Sequence, residues 1–267
     1  MNVKRLGSVL VVATAFLVSA TGSVAAAGAL TNTAEHINQL SDLLLAVAIP
    51  LTLIVEGILG YAVWKFRKSD EAKPTVENRR LELTWTVATA VILVFVGVAA
   101  YGAMASPGVT TTEQSAQQTI ANEDPVVVDV HGYQWAWRMH YPNGDFNTTN
   151  ELVLPADRTV VLRLYSDDVI HAVHVPALSL KKDNIPGQTN YIQTTINSNA
   201  VREEPYKLYC AEFCGAGHSE MLADVYVKSP ADYQEWVEQQ SSSGNDTSSN
   251  STSTNSSSSL AAPAPAV

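Results

Sequence analysis

Residues 210–221 have the sequence Cys-Ala-Glu-Phe-Cys-Gly-Ala-Gly-His-Ser-Glu-Met and contain both cysteines of the 267-residue chain. Two thiols, at Cys210 and Cys214, lie here with the imidazole of His218 and the thioether of Met221. Soft sulfur ligands combined with imidazole favour copper. Two thiolates four residues apart can bridge two metal ions, and a sulfur-bridged pair of copper ions delocalises one electron. The stretch therefore indicates a dicopper centre for electron transfer.

Two other interpretations of this stretch remain open on the residues alone. A disulfide between Cys210 and Cys214 is typical of an exported domain, although a bridge across so small a loop restrains little chain. It would also leave His218 and Met221 without a role. Zinc is the rival metal because it binds Cys₂His sets, but a thioether is a poor zinc ligand.

A second imidazole for this site is expected upstream, where residues 168–176 contain His171 and His174. Residues separated by an odd number of positions point to opposite faces of a β-strand. Only one of the two histidines is therefore expected to reach the metal site.

The sequence around these motifs predicts a β-domain over residues 107–240. Several short runs rich in β-forming residues are separated by turn signals, which is typical of a β-sandwich or barrel. The runs lie at residues 126–130, 159–165, 190–196, 206–209 and 221–227. Residues 231–240 are predicted to form a short closing helix. The Ser-, Thr- and Asn-rich residues that follow predict a disordered tail over residues 241–267.

Residues 28–106 predict a transmembrane hairpin with spans at about 43–64 and 85–105, each long enough to cross a bilayer. Six basic residues lie between the spans, which places that loop in the cytoplasm and both ends of the mature chain outside. Pro50 and Glu56 in the first span predict that one face of this helix packs on other protein. Residues 1–27 predict a signal peptide that is cleaved near Ala27, with an uncleaved membrane anchor as the alternative.

The charge of the chain is segregated. The formal net charge is −10, which excludes a basic nucleic-acid-binding protein. From Pro107 onward there are eight basic and nineteen acidic residues, a net charge of −11. This acidic domain either attracts a basic partner, an effect that salt screens, or reflects a halophilic organism; the small number of lysines favours the second interpretation.

Taken together, these motifs resemble subunit II of haem–copper cytochrome c oxidases, the subunit that carries the dicopper centre CuA. Residues 210–221 match the family pattern C-x-E-x-C-G-x-x-H-x-x-M at every defined position. The resemblance continues at residues 81–86, 132–137, 168–171 and 182–187, and it covers about residues 35–240. It implies the fold class of a two-helix transmembrane hairpin followed by an all-β, cupredoxin-like Greek-key sandwich or barrel.

The resemblance also implies a ligand set for two copper ions. Two bridging cysteines are joined by two histidines, one methionine and one backbone carbonyl, which gives Cys210, Cys214, His171, His218, Met221 and the carbonyl of Glu212. The Glu212 side chain is implied to reach a magnesium ion shared with the catalytic subunit, as suits a hard oxygen ligand.

Two further residues acquire roles through the resemblance. Trp135 corresponds to the exposed tryptophan at which electrons enter from the donor, whereas Trp137 is expected in the core. Glu82 corresponds to the carboxylate at the cytoplasmic mouth of a proton path; on its own it would be an ordinary charge at the membrane interface.

Four positions depart from the family pattern. Val173 replaces an aromatic residue, and the unusual His174 remains a rival ligand. Gln188 replaces an arginine, which puts a salt bridge at the subunit interface in doubt, and Thr89 replaces a proline.

The function implied is that of an electron-accepting subunit in the cell membrane. It takes electrons from cytochrome c or a small blue-copper protein and passes them to subunit I, which carries the haems, reduces oxygen to water and couples this to proton translocation. One alternative is a CuA domain of the nitrous oxide reductase type. Others are a quinol oxidase subunit, which the intact copper ligands disfavour, and a membrane-anchored, disulfide-closed binding protein without copper.

Overall fold

The computed structural model describes residues 28–245, except for residues 70, 72, 73 and 75. The predicted signal peptide at residues 1–27 and the predicted tail from residue 246 onward lie outside the described residues.

Two long helices open the described chain. Helix α1 spans Asn32–Phe66 and α2 spans Arg79–Met104; both are long and apolar enough to cross a membrane, and they contact each other. Each helix extends beyond the predicted span because a polar residue caps it before the apolar run begins. The side chain of Thr31 accepts a hydrogen bond from the Ala34 N–H, and that of Asn78 accepts one from the Leu81 N–H.

Ten strands then form two five-stranded sheets. The strands are β1 (Val126–Tyr133), β2 (Ala136–Tyr141), β3 (Phe146–Thr149), β4 (Glu151–Pro155), β5 (Thr159–Ser166), β6 (His171–Val175), β7 (Leu180–Asn184), β8 (Asn190–Thr195), β9 (Tyr206–Cys210) and β10 (Leu222–Lys228). The first sheet has the order β3-β2-β1-β5-β8 and the second has the order β4-β10-β9-β6-β7. Pairing is antiparallel except for the parallel pairs β1 with β5 and β4 with β10.

This architecture confirms the predicted fold class, two apolar helices followed by a β-domain. The five predicted runs correspond to β1, β5, β8, β9 and β10, each within a few residues of its observed bounds. Residues from both sheets form the core, and β2 is an example of a strand with one buried face. Its Trp137, Met139 and Tyr141 are buried, whereas the residues between them are partly exposed, so one face of the strand lies on the core.

Two shorter helices cover the sandwich. Helix α3 (Glu113–Asn122), which was not predicted, begins with a capping box between Thr112 and Ser115 and buries Ala116 beside Val161 and Tyr191. Helix α4 (Pro230–Asn245) packs Trp236 against the rings of the β2–β3 hairpin. Because α4 continues to Asn245, the prediction of disorder from residue 241 was wrong for its first five residues.

The N-terminal end of α1 is joined to the β-domain by buried and partly buried polar contacts. The Thr33 hydroxyl donates to the Gly108 carbonyl (2.7 Å) and lies 3.0 Å from the hydroxyl of Thr194. The Asn32 carboxamide oxygen accepts from the Thr194 hydroxyl and the Thr195 N–H, both at 2.9 Å. The predicted boundary at residue 107 therefore separates segments that pack together.

Replacing Thr33 with valine tests this joint. The Thr33→Val variant keeps the side-chain shape but leaves the partly buried Gly108 carbonyl unpaired, which should lower the free energy of unfolding of the β-domain by about 1 kcal/mol. Denaturant unfolding of the full chain in detergent, followed by tryptophan fluorescence, measures the change. Thr52→Val is the matched control, since the Thr52 hydroxyl bonds only to the Ala48 carbonyl within α1. Equal stability of the two variants would contradict the assignment.

Candidate metal centre

The loop between β9 and β10 brings its two ends together. Cys210 ends β9, Met221 directly precedes β10, and the Cys210 N–H donates to the Met221 carbonyl (3.1 Å). The Ala211 N–H donates to the Ala172 carbonyl (3.0 Å), which ties the start of the loop to β6. Residues from two neighbouring strands and one loop therefore converge on one point.

Five side chains meet at this point. The sulfur of Cys210 lies 3.8 Å from the sulfur of Cys214 and 3.8 Å from Nδ1 of His171. The sulfur of Cys214 lies 3.5 Å from Nδ1 of His218 and 3.7 Å from the Met221 sulfur. Within this group, the ligand atoms of His171, Cys210 and Cys214 lie within 4.8 Å of one another and could hold a metal ion.

A backbone carbonyl completes the donor set. The Glu212 carbonyl lies 3.3 Å from the sulfur of Cys210 and accepts from its thiol. The Glu212 side chain is exposed at the edge of the cluster. The site thus places one oxygen donor beside its sulfur and nitrogen donors.

Burial sets the electrostatics of the cluster. His171 and Met221 are fully buried, and both cysteines are buried. Desolvation, together with the neighbouring Cys210 thiol, raises the pKa of Cys214 to about 11. A metal ion that binds the Cys214 thiolate must therefore displace a proton, so the affinity of the site for the metal increases with pH.

The chemistry of the donors fits copper. Two thiols, two imidazole nitrogens and a thioether form a soft donor set, which favours copper over zinc. Both cysteines are free, so the alternative of a Cys210–Cys214 disulfide is not the state of this structure. The set has enough donors for two ions only if the sulfurs are shared.

The orientation of His171 is imposed by Asp168. One oxygen of Asp168 lies 2.7 Å from Nε2 of His171, which leaves Nδ1 facing the sulfurs. Asp168 also accepts from the backbone N–H groups of Gln134 (2.7 Å) and Val169 (2.6 Å). Burial would raise the pKa of Asp168, but these hydrogen bonds hold it below its usual value. His174, three residues along β6, is only partly buried and lies outside the cluster.

The two predicted tryptophans occupy different environments. Trp135 lies in the turn between β1 and β2, is 41% exposed, and donates from Nε1 to the Cys214 carbonyl (3.1 Å). Trp137 is fully buried, and its ring lies edge-on to the His171 imidazole with the centroids 6.0 Å apart. The exposed tryptophan is thus in direct contact with the metal-binding loop.

Glu82 is not brought to this cluster. It lies in the first turn of α2, near Arg79, whereas the β-domain follows the other end of the helix at Met104. At 1.5 Å per residue, the 22 residues between Glu82 and Met104 span roughly 33 Å. Any role of Glu82 is therefore separate from the metal centre.

Sequence reasoning missed the residues that surround the ligands. Gln134 donates from Nε2 to the Cys214 carbonyl (2.7 Å), and Gly215 and Gly217 form the surface on which Trp135 lies. Gly215 has φ +115°, a conformation that favours glycine. The two glycines in the loop were a signal that another group approaches the backbone closely.

Adding a methyl group at Gly217 should displace the indole of Trp135. A Cβ atom there would lie 2.5 Å from Cδ2 of Trp135. We expect Gly217→Ala to raise acrylamide quenching of tryptophan fluorescence and to lower the free energy of unfolding by about 1–3 kcal/mol, the usual cost of overpacking. Gly102→Ala in α2, where nothing lies within 4 Å, is the control. Unchanged quenching in Gly217→Ala would refute the close contact.

Comparisons with known proteins agree with this arrangement. Residues 22–102 match the family described as "Cytochrome C oxidase subunit II, transmembrane domain", and residues 144–228 match "Cytochrome C oxidase subunit II, periplasmic domain". The cytochrome c oxidase subunit 2 of Synechocystis sp. is 31% identical over 244 residues, which cover 76% of this chain and 72% of that protein. The subunit 2 of Cereibacter sphaeroides is 29% identical over 246 residues, covering 77% and 76%.

Among solved structures, the periplasmic domain of cytochrome oxidase subunit II from Bradyrhizobium japonicum is similar. It is 27% identical in sequence, with a TM-score of 0.41, and the match covers 44% of this chain and 94% of that one.

Proposed function

The chain belongs to the cytochrome c oxidase subunit II family, and from this membership we propose that it accepts single electrons from an external donor and passes them to a catalytic subunit. Subunit II is part of a haem–copper oxidase, so the chain is one component of an oxidoreductase complex. The observation that carries the proposal is the buried meeting of His171, Cys210 and Cys214.

We assign six donors to two copper ions. They are Cys210, Cys214, His171, His218, Met221 and the carbonyl of Glu212. Copper held by these donors would supply one-electron transfer. The protein contributes the placement of the ligands, since the closed loop and the Asp168 hydrogen bond hold them beside one another. His171, Met221 and both cysteines are buried, which limits the access of water to this side of the site, whereas His218 is only partly buried.

Trp135 is the proposed point at which electrons arrive. Its partly exposed ring can contact a donor, and its indole N–H bonds directly to the carbonyl of the bridging ligand Cys214. This contact supports a short path from the protein surface to the thiolates.

The remaining cofactors are proposed to lie at or in partner subunits. The exposed Glu212 carboxylate is suited to a magnesium ion shared with the catalytic subunit, because magnesium prefers oxygen ligands. The spans at residues 43–64 and 85–105 contain no histidine, so haem ligands must come from another chain. Reduction of oxygen to water and the coupled proton translocation are therefore assigned to the complex.

The chain is anchored in the membrane through its two apolar helices. We propose that the membrane is the plasma membrane, with the basic loop in the cytoplasm and the β-domain and both mature ends outside. Subunit I or another oxidase subunit would then cover the part of α1 that carries Pro50 and Glu56. Glu82 would lie at the cytoplasmic side, where a proton path could begin.

The alternatives are less favoured. A CuA domain of the nitrous oxide reductase type would not account for the match to a subunit II transmembrane domain. A quinol oxidase subunit would not need intact copper ligands, and a binding protein closed by a disulfide would not need His171 and Met221 beside the thiols.

Copper binding tests the proposed function directly. The full chain in detergent, reduced and titrated with copper, should take up two copper ions and become purple with a mixed-valence spectrum. Cys214→Ser should abolish both, because it removes a shared ligand. His174→Gln is the control and should behave as the unmodified chain, because His174 lies outside the cluster. A colourless protein that takes up no copper under reducing conditions would contradict the proposal.

Trp135→Phe tests electron arrival. Exposed tryptophans that anchor a docking partner contribute about 2 kcal/mol or more, so the second-order rate of reduction by the donor should fall at least about tenfold while two copper ions remain bound. Stopped-flow reduction by cytochrome c and by a small blue-copper protein, each at low and high salt, measures the rate. It also shows which donor the acidic domain attracts. An unchanged rate with both donors would remove Trp135 from the path.

A further inference from the structure

We propose that Gln134 is a positioning residue that holds the metal-binding loop against the strand bearing His171. The inference rests on the proposed function, since it assigns to Gln134 the task of keeping two copper ligands in register. Gln134 would act through Cys214 and His171 and would not contact the copper ions.

The first observation is the placement of Gln134 in the β1–β2 turn. Tyr133 pairs with Ala136, so Gln134 and Trp135 are the two residues of a tight hairpin. The contacts of their two side chains give a reason for a glutamine followed by a tryptophan at this turn.

Both side chains converge on one oxygen atom. Nε2 of Gln134 lies 2.7 Å from the Cys214 carbonyl oxygen, and Nε1 of Trp135 lies 3.1 Å from the same atom. A carbonyl has two lone pairs and can accept two donors. The hairpin thus supplies both hydrogen-bond donors that the Cys214 carbonyl can accept, and loss of either donor leaves this carbonyl with one hydrogen bond.

The backbone of Gln134 is linked to His171 through Asp168. Its N–H donates to one carboxylate oxygen of Asp168 (2.7 Å), and the second oxygen of Asp168 lies 2.7 Å from Nε2 of His171. Through its main chain Gln134 is linked to His171, and through its side chain it is linked to Cys214. One residue therefore connects a ligand on β6 with a ligand on the β9–β10 loop.

The loop is shaped to receive the amide. A Cβ atom on Gly215, which has φ +115°, would lie 3.1 Å from Nε2 of Gln134, closer than nearly all such contacts. A larger residue at this position would be strained and would crowd the Gln134 amide. The absence of a side chain at Gly215 thus permits the 2.7 Å bond.

The central test compares Gln134→Leu with Gln117→Leu. Leucine at 134 keeps a similar volume but cannot donate, whereas Gln117 is exposed on α3 and bonds only to Glu113. In the full chain in detergent we expect Gln134→Leu to lower copper affinity by about tenfold, as for other residues that support metal ligands. At saturating copper it should still bind two ions, with shifted thiolate-to-copper absorption and electron paramagnetic resonance spectra. Gln117→Leu should match the unmodified chain.

A second variant and a metal-free measurement exclude a general folding defect. Gln134→Glu places a carboxylate oxygen opposite the Cys214 carbonyl, so it should lower copper affinity more than leucine does. Without copper, hydrogen exchange of the His218 and Glu220 amides should be faster in Gln134→Leu, because their bonds to Gly215 and Gly217 lie in the released loop. Amides of β5 should exchange at the unmodified rate.

Three results decide the proposal. Copper affinity, spectra and loop exchange that equal those of Gln117→Leu would overturn it. Faster exchange in β5 together with the loop would also overturn it, since Gln134 would then support the fold as a whole. If the unmodified chain binds no copper, the proposed function fails, and the metal-free exchange measurement alone still decides whether Gln134 holds the loop.

Discussion

The hydrogen bond between the Cys210 N–H and the Met221 carbonyl is the constraint on which the metal centre depends. It closes a loop whose two ends belong to neighbouring antiparallel strands, and it thereby brings ligands eleven positions apart into contact. The intervening residues must then fold back over the strand ends, which carries Cys214 and His218 toward Cys210. The site is consequently a property of the sheet, and the loop alone would not define it.

Hydrogen bonds between nitrogen and oxygen atoms around the cluster hold its sulfur and nitrogen donors in position. Asp168 orients one imidazole, two side-chain N–H groups hold one carbonyl, and glycines allow the approach. None of these groups needs to touch a metal ion. A carboxylate that accepts three hydrogen bonds cannot readily rotate, so the imidazole it holds presents the same nitrogen to the sulfurs.

The cluster of thiols, imidazoles and thioether could be predicted from the sequence more completely than the strands around it. Four of the five side chains of the cluster lie in residues 210–221, a short motif whose chemistry can be recognised without knowledge of the fold, and the two apolar spans are equally distinct. Strands β3, β4 and β7 were missed because they are four or five residues long and lie at or near sheet edges, where burial gives little periodicity. Strand β2 could have been found, since Trp137, Met139 and Tyr141 alternate with more exposed residues.

Other features depend on contacts that sequence spacing does not encode. Helix α3 is polar along most of its length, and only its packing of Ala116 on the first sheet reveals why it forms there. The hydrogen bonds of Gln134 join it to Cys214, 80 residues away, and to Asp168, 34 residues away. The residues next to Gln134 in the sequence do not indicate either partner.

The joint between α1 and β8 has a mechanical consequence. The sandwich is connected to the membrane helices covalently after α2 and non-covalently at the start of α1, through Asn32 and Thr33. Because Thr33 bonds to the Gly108 carbonyl just after α2, this second attachment lies beside the chain connection and restricts rotation of the β-domain about it. The β-domain, and with it the cluster of thiols and imidazoles, therefore has less freedom to rotate relative to α1 and α2.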